Sequence, residues 1–470
     1  MEPYFDSTYK IPKDAVSRGQ ITRDLRVIGK GRGDAPVIVD CFKDLGDYWE
    51  VPIPYGIEMY GTEYDATTQD ADYIWPAFKN FTGRNDQNQL IEKVVPFMTE
   101  KLNCRVECPT GYGKSVVAIR IAQLLKANAL VVVHNTAILK QFELNAKEIF
   151  GIESGWFHGK KDDRDKPLTL TTVQTLASRI DSMDEDFYKN WKMAVWDEAH
   201  RSGAPSYVKV MRKMTTKYKL GVSATWRRPD KLDGVFKNYL GPVAHKGKIT
   251  GSKITKYVYV PTVETKLTIR DFMDYQGSIS KAKIDTRIGE DVSYNNFLTR
   301  MIKYLAKTLD RRMVITSNRI SQIDILADML AESDLDHTVG VFAGSHKGKK
   351  LKDADFQEAF KQDIVLASTS KIREGLDIAR FVGEEAYTQM RPLDTIIIAS
   401  PTPDPEQVAG RIGRYHEGVD PLVIQPCLDM GFCRGRLKRS FDIFYKPQKY
   451  KVLKDIRQLE KGNNNERARS

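Results

Sequence analysis

The eight residues Cys108-Pro109-Thr110-Gly111-Tyr112-Gly113-Lys114-Ser115 constrain this chain more than any other stretch. An apolar-containing run, 104–108, leads into them and a helical pattern, 116–126, leads out. A strand, a glycine-rich turn and a helix opening on Lys-Ser predict a loop that cradles phosphate. Gly111 and Gly113 let the backbone curl until several N–H groups face one point. The helix N-terminus adds the positive end of its dipole. Lys114 can reach the outer phosphates, and the Ser115 hydroxyl can ligate Mg²⁺. Cys108 stands where the general pattern has its first glycine, but the two glycines nearest the phosphates are kept.

Around this loop the chain alternates short apolar runs with helical periods. Strands are expected at 129–133, 168–171, 193–196 and 220–222, with helices between them such as 138–150. That alternation predicts a parallel sheet with helices on both faces, binding ligands at the carboxyl ends of its strands. A polar, glycine-rich stretch at 241–252 reads as a linker. A second alternating region follows, with strands at 313–316, 337–342, 364–367, 395–399 and 422–425. Residues 264–292 fit neither period and read as an irregular insertion.

Residues 1–80 look like a separate small module. Runs at 37–42 and 48–53 suggest a hairpin whose turn contains Gly46, ended by Pro52 and Pro54. An acidic connector, 63–72, follows, and Trp75 and Phe78 are expected to pack the module on what comes next. The boundaries read as an N-terminal domain 1–80, two α/β domains 81–245 and 246–430, and a basic C-terminal extension 431–470.

Charge sharpens the choice of partner. The net charge is +11, yet residues 1–80 hold nine basic and fourteen acidic side chains, so the excess lies elsewhere. Residues 431–470 alone hold twelve basic and four acidic residues, which points to a polyanion such as nucleic acid. No apolar run approaches the ~20 residues of a membrane span. The start of the chain lacks the basic and apolar regions of a signal peptide. Five cysteines without CxxC spacing argue against a zinc site and fit a reducing, cytoplasmic setting.

Further motifs fall behind the expected strands. Trp196-Asp197-Glu198-Ala199-His200 supplies one carboxylate for a metal shell, Asp197, and one to polarise water, Glu198. Ser223-Ala224-Thr225 places small hydroxyls where they can relay between a nucleotide and a bound polymer. In the second region come Glu374-Gly375-Leu376-Asp377-Ile378 and then Gln407-Val408-Ala409-Gly410-Arg411-Ile412-Gly413-Arg414. Arg411 and Arg414, three apart, share a helix face. Their guanidinium groups suit the charge that develops in phosphoryl transfer.

Taken in order, these motifs resemble the set of the superfamily 2 helicases of the DEAH-box type, over about residues 81–430. The resemblance implies two tandem RecA-like α/β domains with ATP between them, and an ATP-dependent DNA helicase or translocase. It gives the adenine-reading positions to Arg84 and Gln87. The nucleotide contacts fall to Pro109, Thr110, Gly111, Tyr112, Gly113, Lys114, Ser115, Gly375, Asp377 and Gln407. Mg²⁺ goes to Ser115 and Asp197, and catalysis to Lys114, Asp197, Glu198, Arg411 and Arg414. Coupling is implied for His200, Ser223 and Thr225, and DNA-backbone contacts for His134, Asn135, Thr136, Thr172, Gln174 and Thr369.

The compact length, the acidic N-terminal module and the ending around Arg439 and Tyr445 resemble most the phage branch-migration helicases of the UvsW type. That implies forked or branched DNA as partner and a monomer on DNA, with Trp226 standing where relatives often have proline. An RNA helicase and a nucleic-acid-binding protein merely switched by ATP are the alternatives.

Overall fold

The computed structural model describes residues 1–31, 35–66, 71–76, 81–109, 112–198, 204–228, 230–247, 255–375, 390–402, 405–409 and 420–459. The chain forms two compact units, Met1–Gly251 and Ser252–Ser470. Each is an α/β unit built on a mostly parallel central sheet.

The first unit has an eight-stranded sheet. Its order is Lys161–Asp162, Ser154–His158, Leu168–Thr172, Ala129–Val133, Met193–Asp197, Tyr218–Ser223, Asn103–Glu107 and Val243–Lys246. All neighbours run parallel except the first pair, an antiparallel hairpin. The central strands are buried along their whole length because helices cover both faces, and Ala129–Val133 accordingly reads as a continuous apolar run. From Asn103–Glu107 the chain skips two strand positions to Ala129–Val133. Met193–Asp197 and Tyr218–Ser223 later fill the gap. The carboxyl ends of Met193–Asp197, Tyr218–Ser223 and Asn103–Glu107 therefore stand side by side, where open α/β sheets hold their ligands.

The expected strands and helices around the phosphate loop are present, with differences elsewhere. Residues 146–150, expected to continue a helix, form a π-helical turn after Thr136–Asn145. Ser154–His158 was not expected as a strand, because its five residues include only two large apolar ones. The stretch expected as a linker contributes the edge strand Val243–Lys246.

The N-terminal residues are not a separate module. Phe5, Tyr9, Ile11, Trp49, Val51 and Ile57 belong to the same hydrophobic core as Val106, Val222 and Phe236. Arg212 ties the two together, donating to the carbonyls of Asp40 and Phe42 and pairing with Glu50 at 3.1 Å. The expected hairpin is also re-paired. Pro36–Asp40 joins Arg26–Lys30, while Tyr48–Val51 pairs with Tyr9–Pro12 and with the short Lys43–Asp44. Gly46, at φ +87°, makes the tight turn of the last pair. Pro52 then precedes the helix Ile53–Tyr60. Trp75 packs on the core as expected; Phe78 lies outside the described residues.

The second unit has a seven-stranded, all-parallel sheet in the order Val339–Phe342, Ile364–Ser368, Met313–Ser317, Thr395–Ile398, Leu422–Ile424, Tyr257–Tyr259 and Lys451–Leu453. The residues expected as a basic extension thus supply an edge strand, and the helix Gly431–Ser440 buries Cys433 in the core. The expected irregular insertion holds a 3₁₀ turn, Ile269–Phe272, and a helix, Lys281–Glu290. That helix buries only two large apolar side chains, Ile284 and Ile288, which is why its period is faint in the sequence. Among the described residues no helix is long and apolar enough to cross a membrane.

Candidate active site

Gly113 is the last residue before the helix Lys114–Leu124 and has φ +85° and ψ 43°, the left-handed region that glycine enters freely. A Cβ there would lie 2.6 Å from Nε2 of Gln87. Both conformation and space therefore require glycine. The helix starts on Lys114, whose Nζ donates to Oε1 of Glu198 at 2.5 Å. Burial alone would pull the Lys114 ammonium down, but the carboxylates of Glu198 and Asp197 outweigh it. They hold Lys114 above the ordinary lysine value and fully charged.

Glu198 follows the strand Met193–Asp197 in an unusual conformation, φ +49°, which a non-glycine residue adopts only when its surroundings impose it. Here its N–H donates to the carbonyl of Val222 at 2.9 Å, and its Oε2 accepts from Oγ of Ser223 at 2.8 Å. Ser223 Oγ also lies 2.6 Å from the carbonyl of Thr225 and accepts from the Thr225 N–H at 3.2 Å. One hydroxyl proton thus has two acceptors, the carboxylate and the next loop. The carbonyl of Ser223 accepts the Cys108 N–H at 2.7 Å, fastening the phosphate loop to the same strand end.

The expected adenine-reading pair grips the loop as well. Arg84 and Gln87 both donate to the carbonyl of Tyr112, at 2.9 and 2.7 Å. Gln87 Oε1 accepts the Arg84 N–H at 3.0 Å, and Asp86 pairs with the Arg84 guanidinium. Tyr112 is fully buried, its hydroxyl donating to the Asp86 carbonyl at 2.6 Å. Ser115 Oγ accepts from Nδ2 of Asn145 at 2.5 Å. Sequence reasoning missed Asn145, which sits in no motif and reaches Ser115 only through the packing of two helices.

The donor set fits a nucleoside triphosphate with a hard divalent cation. Ser115 offers a hydroxyl and Asp197 a carboxylate, the oxygen ligands Mg²⁺ takes, and Lys114 offers the cation for phosphate. Pro109 opens the loop, its carbonyl accepting the Tyr112 N–H at 3.1 Å. The two departures from the motif pattern have structural roles. Cys108 is buried and its thiol is pushed up to about 12 by that burial, so it is chemically quiet. Trp226 is buried with Nε1 donating to the Val106 carbonyl, stacked under Arg105 and filling the space over Gly221.

Five of the residues expected to touch nucleic acid, His134, Asn135, Thr136, Thr172 and Gln174, gather at two adjacent strand ends. Asn135 caps the helix Thr136–Asn145, its Oδ1 accepting from Ile138 N–H at 3.1 Å, and its Nδ2 lies 3.0 Å from His134 Nε2. Thr172 caps Val173–Arg179 in the same way at 3.2 Å. Gln174 Nε2 donates to the His134 carbonyl at 3.2 Å, so the two caps form one surface. Thr369, buried, begins the helix Thr369–Gly375 in the second unit, and that helix ends on Gly375. Thr110, Gly111, His200, Asp377, Arg411 and Arg414 lie outside the described residues, as does the side chain of Gln407.

Residues 80–228 match the family of the type III restriction enzyme, res subunit. Over 430 residues the chain is 28% identical to "Putative ATP-dependent RNA helicase L396" of Acanthamoeba polyphaga mimivirus, covering 88% of this chain and 77% of that protein. It is 22% identical to "Probable helicase D10" of Escherichia phage T5, covering 68% and 67%. It is 25% identical to "DNA 3'-5' translocase XPB2" of Sulfurisphaera tokodaii, covering 51% and 56%. Among solved structures, T4 UvsW aligns at 13% identity with a TM-score of 0.40, over 96% of this chain and 98% of that one. The Pyrococcus furiosus Hef helicase domain aligns at 15% with a TM-score of 0.47, over 76% and 98%. The chain is thus similar to superfamily 2 helicases of viruses and phage.

Proposed function

We propose that this relative of superfamily 2 helicases is an ATP-dependent DNA translocase that unwinds or branch-migrates forks and junctions during replication, recombination and repair. The observation that carries the reading is the contact of Lys114 with Glu198 and of Glu198 with Ser223. The cation that grips phosphate, the carboxylate that polarises water and a hydroxyl leading toward the next loop form one connected set. Mg²⁺, held by Ser115 and Asp197, would supply charge neutralisation between the phosphates. Lys114 binds the outer phosphates, and Glu198 takes a proton from the attacking water. Arg411 and Arg414 are the second unit's contribution, from the sequence pattern.

Ser223 is the coupling residue of this reading. Its proton can pass from Glu198 Oε2 to the Thr225 carbonyl, so a change at the carboxylate is felt in the loop beyond. His134, Asn135, Thr136, Thr172, Gln174 and Thr369 grip the phosphate backbone, which fixes register without reading sequence. Choice of branched over linear substrate then falls to parts outside the motifs, residues 1–80 being the candidate. RNA is the second reading, favoured by the viral relative whose name calls it an RNA helicase.

The deciding experiment is steady-state ATPase with single-stranded, duplex, forked and four-way-junction DNA beside matched RNA. Strongest stimulation by junctions is expected. Strongest stimulation by RNA transfers the activity to RNA, and a single turnover without further phosphate release leaves only an ATP-driven switch.

A further inference from the structure

The helix Gly431–Ser440 in the second unit has two unlike sides. Inward, Cys433 and Ser440 are buried, Leu437 packs on the core, and Phe432 meets Phe272 with ring centroids 5.1 Å apart. Ser440 Oγ donates to the Thr402 carbonyl at 3.0 Å, and Arg436 lies over the Phe432 ring. Outward stand Arg434, Gly435, Lys438 and Arg439, all exposed. Arg434 and Lys438 are four apart, as are Gly435 and Arg439, so the four form one patch with glycine in the midst of three cations.

The fold alone gives no reason for this patch. Like charges four apart on a helix repel. Among the described residues Lys438 and Arg439 form no ion pair, and Arg434 has only the exposed Asp429 at 3.3 Å. Glycine inside a helix costs about 1 kcal/mol relative to alanine, yet a Cβ at Gly435 would meet nothing within 4 Å. A bare strip of helix backbone flanked by cations suits an extended polyanion lying close against it. Residues 431–459 reinforce the choice with nine Lys or Arg against two Asp.

We infer that the outward face of Gly431–Ser440 is a docking surface for a nucleic-acid phosphate backbone, with Gly435 allowing close approach and Arg434, Lys438 and Arg439 each facing a phosphate. The inference rests on the translocase reading but adds a contact that none of the helicase motifs supplies. It also places part of the basic charge of residues 431–470 on one helix face.

The test is fluorescence-anisotropy binding of the full chain to labelled single-stranded and duplex DNA and to single-stranded RNA, across a salt series. Two variants are used, the triple Arg434→Gln/Lys438→Gln/Arg439→Gln and the single Gly435→Leu. The triple variant should bind roughly tenfold or more weakly at low salt, its log–log salt slope on duplex smaller by about 0.9 for each phosphate it no longer neutralises. Gly435→Leu keeps the charge, so it should melt at or above the wild-type temperature yet bind several-fold more weakly. Basal ATPase without nucleic acid should stay unchanged in both. Wild-type affinity and slope in the triple variant, or wild-type binding by Gly435→Leu, overturns the surface while leaving the translocase reading intact. Absence of salt-dependent binding in the wild-type protein overturns both. The DNA and RNA arms tell which polymer the surface takes.

Discussion

At the scale of the residue, the chemistry turns on Glu198. Its carboxylate touches both Lys114 and Ser223, and its backbone sits at φ +49°, held by the Val222 carbonyl. Glu198→Gln keeps the shape and one carbonyl oxygen for the Ser223 hydroxyl but loses the base. Turnover should fall by about 10²-fold or more while ATP and nucleic acid still bind. Near-normal phosphate release would remove Glu198 from the mechanism. Gly113→Ala tests the loop itself: the methyl group would be strained at φ +85° and would strike Gln87, loosening that side chain from the Tyr112 carbonyl. A several-fold rise in KM for ATP is expected, and an unchanged KM would count against this loop as the phosphate cradle. Much of the site was legible in the sequence, because the phosphate loop and the Asp197-Glu198 pair carry their chemistry in adjacent residues. Asn145 was not, because it meets Ser115 from another helix, and the clamp of Arg84 and Gln87 on Tyr112 was expected only as a contact to the base.

At the scale of the element, the strand Tyr218–Ser223 joins function to stability. Ser223 lies at its catalytic end, and Lys219, almost wholly buried, lies near the other with Nζ 3.5 Å from the Ser7 carbonyl. Burial is the main cause that brings the Lys219 ammonium down to about 7; Asp6 and Asp65 oppose it and Lys10 adds to it. The unfolded chain keeps that proton up to the ordinary lysine value, so the charged side chain costs most stability below pH 7. The cost fades as pH rises from 7 toward 10. Lys219→Met should therefore raise Tm near neutral pH by several degrees, for a gain on the order of a few kcal/mol. Its advantage should shrink steadily to pH 10. Melting curves of both proteins across that range check it, and a pH-independent difference would show that Lys219 is not titrating.

The central strands, such as Ala129–Val133 and Ile364–Ser368, were legible because burial on both faces leaves an unbroken apolar run. The register of the N-terminal strands was not. Tyr48–Val51 pairs with residues some forty positions earlier, which no local pattern encodes.

At the scale of the molecule, the two units have separate cores, while the proposed chemistry draws on both. If Arg411 and Arg414 complete the reaction, alanine at either should lower stimulated turnover by about 10³-fold. The melting of the chain should hardly change, and full turnover in both variants would confine catalysis to the first unit. The N-terminal residues give the sharper test, since their composition suggests a detachable module and their packing does not. Removing residues 1–78 would strip Phe5, Tyr9, Trp49, Val51, Ile53 and Ile57 from the core. Each large apolar side chain is worth about 1.5–3 kcal/mol of burial, against a total stability of about 5–15 kcal/mol. The deletion would also expose Lys219 and leave Arg212 without the Asp40 and Phe42 carbonyls and Glu50. The truncated chain should therefore aggregate or melt far below the full chain, losing ATPase even on plain single strands. A soluble truncated protein that melts cooperatively at the full-length temperature and keeps its DNA-stimulated ATPase would show instead that residues 1–78 are an independent attachment, free to act in substrate choice alone.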